Sequence, residues 1–398
     1  MNAAIKTVKL PQLLEKSAKG ALRSTKTEDS FSPTEANLPK KSHESFICEL
    51  KNLAKKFRVP QEDVILIAIN SNGANTDLPH DRIRFKLALN GTDKTFYLGL
   101  PKKPTSPFYI SANEIALSVD GTNIGTALEV ENDTCDAIYL RRGRTVLNLN
   151  SNSRSRCKGC AFCFDSQTPL DNKRLTAHDA MEEFIETFLK KEAKSDLAHL
   201  YQVALVTGCF GSEEATLRHI LLVQDVFTKY KFRGELLYFG SQLRSKDSFK
   251  KIKDNIQNPA LVLSIECFDR RNVLLNKLKS SLTLDGAINL LSLAADNGIS
   301  ATVSYIVGLD SHVSIKAGFE KLDGYFDRFP ILNIFQPHKS DQELLRVPGA
   351  ERLEYYLIAR AIFEELFAGK QIKPRTWENY RSLWYFEYAG ENLNEQTI

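Results

Sequence analysis

The chain has 398 residues, of which 42% are hydrophobic, and a formal net charge of +4. Such a composition supplies enough apolar side chains for a sizeable core, and the mild charge does not indicate a nucleic-acid-binding protein. Seven cysteines, with three of them clustered, do not resemble a disulfide framework in a chain of this size. No secretory signal is recognisable, and no stretch approaches the roughly 18 apolar residues of a membrane span, so the reducing cytoplasm is the expected location.

The first part of the chain is predicted to form an arm and a small accessory domain. Residues 1–42 are rich in Lys, Ser, Thr, Pro and Asn, which predicts a flexible basic arm. Residues 43–144 are predicted to form an α+β domain that begins with a helix at 44–57. Turn signals such as Asn90-Gly91 separate its predicted strands, which lie at 64–69, 82–89, 95–98 and 114–119.

Strand and helix patterns alternate over residues 145–345. Apolar, β-rich runs predict strands at 145–149, 203–207, 235–239, 261–265, 300–307 and 331–335. Amphipathic runs predict helices at 176–193, 213–230, 246–256, 284–297 and 315–325. This alternation predicts an α/β fold with a parallel sheet, closed as a partial or complete (β/α) TIM-type barrel.

Residues 346–398 are predicted to contain a helix at 352–367 and an aromatic tail at 372–389. We expect both to pack on the barrel, because exposed aromatic side chains would be costly. Stacking of the tail on bases or on an aromatic substrate is the alternative.

Cys157, Cys160 and Cys163 form a C-x2-C-x2-C run directly after the first predicted barrel strand. Clustered thiolates select zinc, copper(I) or iron–sulfur clusters. A structural zinc site uses four protein ligands, and a ferredoxin-type run would place a fourth cysteine where Gln167 stands. Three cysteines therefore favour a [4Fe–4S] cluster with one open iron. A zinc site completed by a distant His or Cys is the second interpretation.

Each predicted barrel strand ends in glycine or polar residues. Because the carboxyl ends of parallel strands meet at one edge of a sheet, these ends should form a common pocket with the cysteine loop. The ends are Thr207-Gly208-Cys209-Phe210-Gly211, Gly240-Ser241-Gln242, Glu266-Cys267-Phe268-Asp269, Gly308-Leu309-Asp310 and Gln336-Pro337-His338.

In this order, the cysteine loop and strand ends resemble the radical S-adenosylmethionine superfamily, over about residues 144–345. The matching features are Phe162 before the third cysteine, Thr207-Gly208-Cys209-Phe210, the segment 265–299 with Glu266, and Tyr305-Ile306-Val307-Gly308-Leu309-Asp310. The layout is most similar to the biotin synthase-like branch. The first cysteine gap is one residue shorter than the family's usual C-x3-C-x2-C, and Arg156 stands where the first cysteine is expected.

The resemblance implies that Cys157, Cys160 and Cys163 hold a [4Fe–4S] cluster whose open iron binds S-adenosylmethionine. The residues that the resemblance and the strand-end positions make candidates for the cofactor site are Phe162, Gly208, Cys209, Phe210, Gln242, Glu266, Val307 and Gly308. The cofactor carboxylate needs a cation, for which the candidates are Arg244, Arg271, Lys277 and Lys279.

Cys209, Cys267 and His338 are candidate catalytic residues, because they stand at strand ends of the predicted pocket. The simpler interpretations are that the cysteines are small buried hydrophobes and that His338 belongs to an ordinary loop.

The leading hypothesis is an enzyme that generates an adenosyl radical to abstract hydrogen from a small molecule in biosynthesis: a metabolite, a cofactor precursor or a natural product. A reducing partner such as flavodoxin or ferredoxin would supply the electron. The alternatives are an enzyme that modifies RNA or a peptide, and a non-catalytic scaffold that binds zinc or a cluster.

Overall fold

A computed structural model describes residues 45–111, 116–134, 137–164, 174–379 and 381–393. The predicted arm, 1–42, lies outside these ranges. The strands are β1 Asn75–Thr76, β2 Arg82–Leu89, β3 Thr95–Pro101, β4 Phe108–Ile110, β5 Ala116–Val119, β6 Thr122–Asn132, β7 Tyr139–Arg141, β8 Val146–Leu149, β9 Gln202–Val206, β10 Glu235–Gly240, β11 Pro259–Glu266, β12 Ser300–Val307, β13 Ile331–Ile334, β14 Glu387–Tyr388 and β15 Glu391–Asn392. The helices are Phe46–Phe57, Gln61–Asn72, His178–Glu192, Glu213–Lys229, Lys246–Asn255, Arg271–Leu274, Lys277–Ser280, Leu284–Asp296, His312–Leu322, Ser340–Glu343 and Leu353–Leu366.

The larger sheet has the strand order β13-β12-β11-β10-β9-β8-β7. Neighbouring strands from β8 to β13 pair in parallel, and β7 pairs antiparallel to β8. Long helices alternate with these strands along the chain, as a parallel sheet requires. The predicted parallel α/β sheet is therefore confirmed, and the predicted strand and helix positions agree with the observed ones to within a few residues.

This sheet curls around one cavity. Residues of all seven strands line the cavity, and in β9 the lining residues alternate, as Ala204 and Val206 do. The residues that alternate with these two along β9, Val203 and Leu205, belong to the main hydrophobic core. Because one face of every strand meets the same cavity, the sheet forms a partial barrel with β13 and β7 as its edges.

The C-terminal tail bridges the seam between the two edges of the curled sheet. The Ile334 N–H of β13 donates to the Arg381 carbonyl at 2.8 Å. On the other edge, Arg141 Nη1 of β7 donates to the Glu378 carbonyl at 3.0 Å. The tail thus pairs with the Ile334 N–H, which an open sheet edge would leave unpaired, and it binds a side chain of the other edge strand.

A smaller sheet precedes the larger one, with the order β1-β4-β5-β6-β2-β3. The predicted strand at 64–69 is wrong, because these residues lie in the helix Gln61–Asn72. Every residue from 63 to 71 is buried, so no polar face reveals the helical period, and a short apolar run of this kind resembles a buried strand. Its start signals are Pro60 and the acidic pair Glu62 and Asp63.

The predicted boundary at residue 144 does not interrupt the larger sheet, since β7 before it pairs with β8 after it. Residues from Glu44 onwards belong to one compact unit. Within the described ranges, every helix is too short or too polar to cross a bilayer.

A buried ion pair ties the helix Gln61–Asn72 to the C-terminal tail. Arg360 Nη1 contacts Asp63 Oδ2 at 2.6 Å, and neither side chain is more than 1% exposed. Asp63 Oδ1 also accepts the Tyr385 N–H at 2.9 Å and the Phe386 N–H at 2.8 Å. These bonds offset part of the desolvation of the Asp63 carboxylate, although burial still raises its pKa above the usual value.

We predict that Asp63→Ala destabilises the protein by about 3–5 kcal/mol, because Arg360 keeps its charge in a buried site and loses its buried partner, retaining only the more exposed Glu364. Urea unfolding measures the change. Asp254→Ala, at an exposed position, is the control and should unfold as the wild type does. Equal urea-unfolding midpoints for the wild type and both variants would show that the Asp63–Arg360 pair does not hold the tail.

Candidate functional site

The candidate site is the cavity inside the curled sheet, with a volume of about 260 Å³. The cysteine loop lies at the carboxyl ends of the strands, and Cys157, Cys160 and Cys163 all line the cavity. The charged residues on its wall are Arg82, Asp133, Arg141, Arg154, Glu266, Lys279, Glu378 and Arg381.

The segment after β11 holds the cysteine loop in place. The Ala161 N–H donates to the Leu274 carbonyl at 2.9 Å. The Asn276 N–H donates to Cys160 Sγ at 3.3 Å, and Asn276 Nδ2 approaches Cys157 Sγ at 3.7 Å. Burial raises the pKa of Cys160, while nearby Lys279 and the Asn276 N–H oppose this effect. N–H donors and a cation beside sulfur stabilise the thiolate form that a metal requires.

The donor chemistry of the loop fits an iron–sulfur cluster, since three cysteines of one loop face the same cavity. Among the side chains that the structure describes, no three His, Cys, Asp or Glu residues form a group that could hold a metal ion. The cluster is therefore a proposal based on the sulfur donors and their surroundings.

Glu266 lies at the end of β11 and is 6% exposed. Its φ of +65° is in the left-handed region, and the register with β12 shifts between Ser264 and Glu266. A non-glycine residue held in this region stores strain, which is common at functional sites. Glu266 Oε2 accepts a hydrogen bond from Ser304 at 3.1 Å, and Oε1 pairs with Lys279 Nζ at 2.5 Å.

Lys279 connects the carboxylate to the cysteine loop. Burial alone would lower its pKa, but the charges of Glu266, Cys160 and Cys157 raise the pKa above its ordinary value. Of the four predicted cations, only Lys279 lines the cavity within the described part of the chain. Arg271 instead donates to backbone carbonyls, including those of Ile265 and Lys279.

The end of β9 supplies the predicted glycine-rich segment. The Gly208 N–H donates to the Asn152 carbonyl at 2.9 Å, and a Cβ on Gly208 would lie 2.0 Å from the Ser153 oxygen. Cys209 lines the cavity, where its Sγ accepts from Gln242 Nε2 at 3.2 Å. Glycine at 208 therefore lets the strand end pack directly against the start of the cysteine loop.

Phe162, Cys209, Gln242 and Glu266 line the cavity as predicted, but the other cofactor candidates do not. Phe210 stacks on His219, with ring centroids 4.6 Å apart, and is not among the cavity-lining residues. Val307 is fully buried in the main core, and its neighbour Ile306 faces the cavity in its place.

Gly308 also lies off the cavity wall. Its φ is +120°, and a Cβ there would lie 3.1 Å from the Phe335 Cβ. Glycine at position 308 therefore allows the backbone to approach the Phe335 side chain closely.

The candidate catalytic residues separate into two environments. Cys209 and His338 line the cavity, whereas Cys267 is fully buried in an apolar cluster with Leu309 and Phe335. Burial raises the pKa of Cys267, and this residue is not among those that line the cavity.

The ring of His338 stays neutral, because burial and then the charge of Arg82 lower its pKa well below the usual range. Arg82 Nη1 lies 3.2 Å from each ring nitrogen. His338 is therefore held against β2 of the smaller sheet.

Several cavity residues were missed by the sequence analysis, since they come from outside the predicted barrel. The smaller sheet and its connection contribute Arg82 and Asp133, β7 contributes Arg141, and the tail contributes Glu378 and Arg381. The only available signal was the presence of arginines in otherwise apolar strands.

No family model and no curated protein matches this chain. Among solved structures, the crystal structure of Streptococcus suis SuiB bound to S-adenosylmethionine is similar over 58% of this chain and 55% of the SuiB chain. The identity is 15% and the TM-score is 0.38. The chain thus spans about half the length of SuiB, and a likeness at this level carries no argument about function.

We predict that Gly208→Ala destabilises the protein by about 1–3 kcal/mol, because the added methyl must push the strand end and Ser153 apart. The matched control is Gly286→Ala, whose methyl would meet two side chains at 3.2 Å within a helix. Urea unfolding and the rate of thiol labelling report on both variants. If Gly208→Ala matches the wild type in both measurements, the close packing at this point is incorrect.

Proposed function

We propose that this protein is a radical S-adenosylmethionine enzyme that acts on a small molecule. The observation that carries the proposal is that the three loop cysteines and the Glu266–Lys279 pair line the same cavity. They do so at the carboxyl ends of a curled parallel sheet, where chemistry resides in (β/α) folds.

Cys157, Cys160 and Cys163 would hold a [4Fe–4S] cluster, leaving one iron without a protein thiolate. When bound, this cluster would supply the electron that cleaves S-adenosylmethionine into methionine and a 5′-deoxyadenosyl radical. A partner such as flavodoxin or ferredoxin would reduce the cluster, which would suit a cytoplasmic setting.

The chain's own residues would bind and orient the cofactor. The Lys279 ammonium would attract the cofactor carboxylate, since it lies beside Cys160 and Cys157. Glu266 would accept hydrogen bonds from the ribose hydroxyls, and its pairing with Lys279 and Ser304 holds the carboxylate in place. Phe162 and Ile306 would border the adenine, because both line the cavity near these groups.

The size and depth of the cavity favour a small substrate. A volume of about 260 Å³ lies just below the roughly 300–1,000 Å³ of pockets for drug-sized ligands, which favours a compact molecule over a macromolecular segment. Ala204 and Leu237 on the cavity wall pack with Val262 in a buried apolar cluster, so part of the inner face of the sheet is apolar. Such an apolar wall would help to keep water from a site where a radical must react with the substrate alone.

The test of this proposal is formation of 5′-deoxyadenosine after anaerobic reconstitution with iron and sulfide, in the presence of a strong reductant. We expect the wild type to form it and Cys160→Ser to lose it, because a hydroxyl is a poor ligand for iron in such clusters. The control is Cys48→Ser, at an exposed position on the first described helix. A wild type that binds S-adenosylmethionine but forms no 5′-deoxyadenosine would contradict the proposal.

A second prediction concerns the cofactor affinity. Glu266→Gln should weaken S-adenosylmethionine binding by about 1.5–3 kcal/mol, because it removes a charge-assisted hydrogen bond. Equilibrium dialysis of the reconstituted protein measures the affinity, with Glu182→Gln at an exposed helix as the control. Unchanged affinity in Glu266→Gln would place the ribose elsewhere.

A further inference from the structure

The carboxylates on the cavity wall already have cationic partners. Asp133 pairs with Arg82 at 2.9 Å, and Glu266 pairs with Lys279 at 2.5 Å. Glu378 pairs at 2.7 Å with Arg328, which is not itself on the cavity wall. The negative charges of the cavity are thus compensated by residues other than Arg141.

Arg141 is a buried cation without such compensation. It lines the cavity and is 5% exposed. Its Nη1 donates to the Glu378 carbonyl at 3.0 Å, whereas its Nε has no hydrogen-bond partner. Across the described ranges, no carboxylate lies within ion-pair distance of Arg141. A buried charge without a counter-charge is costly, so the site favours an incoming anion.

Two amides accompany this guanidinium. Asn148 of β8 and Asn333 of β13 line the cavity, and neither side chain has a hydrogen-bond partner among the residues that the structure describes. Their NH2 groups can therefore donate to a ligand in the cavity. They come from the two sides of the seam, so a ligand between them would contact both flanks of the sheet.

The register of the β7–β8 hairpin places Arg141 and Asn148 together. Arg141 is opposite Val146, and Tyr139 is opposite Asn148. Arg141 and Asn148 are therefore diagonal neighbours on the cavity face, roughly 7–8 Å apart. Arg141 stands beside the start of β8, while the cysteine loop follows the end of β8, so the backbone of Arg141 lies at the opposite end of this strand from the cysteines.

We propose that Arg141, assisted by Asn148 and Asn333, binds an anionic group of the substrate, either a carboxylate or a phosphate. A guanidinium binds both groups through paired N–H donors, and amide donors add further hydrogen bonds. The anchored group would hold the rest of the substrate toward the cysteine loop. That this anion belongs to a substrate depends on the proposed function, whereas the anion site itself does not.

The test is binding of succinate and of inorganic phosphate to the full-length protein, by calorimetry at low ionic strength. We expect wild-type protein to bind one of them, and the tighter one identifies the anionic group. Arg141→Gln should weaken binding by about tenfold or more, as loss of a charge-assisted hydrogen bond predicts. Arg141→Lys should recover part of the affinity, because it restores the charge without the planar donors.

Asn148→Asp provides an independent variant, because a carboxylate beside Arg141 should repel the anion and lower its affinity. The control is Arg233→Gln, which removes a charge at an exposed position. Wild type that binds neither anion, or Arg141→Gln and Asn148→Asp that bind like the wild type, would overturn the anion site.

Formation of 5′-deoxyadenosine separates the two proposals. Anion binding that depends on Arg141 in a protein that forms no 5′-deoxyadenosine would support the anion site and contradict the radical function. Formation of 5′-deoxyadenosine in a protein whose anion binding is independent of Arg141 would support the radical function and overturn the anion site.

Discussion

The interaction on which the site depends is the ion pair of Lys279 with Glu266, which lies within the electrostatic influence of Cys160 and Cys157. A buried ammonium alone would lose its proton readily, but these neighbours raise its pKa and keep it charged. The segment between Glu266 and Lys279 also reaches the cysteine loop, since the Asn276 N–H donates to Cys160 Sγ. Strain at Glu266, whose φ is +65°, persists because this pairing and the hydrogen bond from Ser304 determine its position.

The rest of the fold completes the cavity around this contact. Parallel pairing from β8 to β13 brings the strand ends together, while the sheet stays open between β13 and β7. The tail fills that seam, held by the buried Asp63–Arg360 pair. The smaller sheet contributes Arg82, which contacts His338. The charge of the cavity therefore depends on segments that a barrel alone would not supply.

The sequence predicted the larger sheet well, because buried parallel strands are continuous apolar runs between amphipathic helices. The sequence was less successful where the direction of a side chain decides whether the residue lines the cavity. Val307 and Ile306 are adjacent, and only the twofold alternation of the strand, once its register is known, assigns Ile306 to the cavity. Arg141 could not be placed at the site, since its position depends on the long-range pairing of β7 with the barrel sheet.

The most direct test of the proposed cluster is the metal content of the anaerobically reconstituted protein, followed by electron paramagnetic resonance of the reduced form with and without S-adenosylmethionine. We expect about four irons and four sulfides per chain. We also expect a spectrum that changes when S-adenosylmethionine is added, because the cofactor binds an iron without a cysteine ligand. A colourless protein that holds about one zinc per chain on the same cysteines would contradict the proposed cluster.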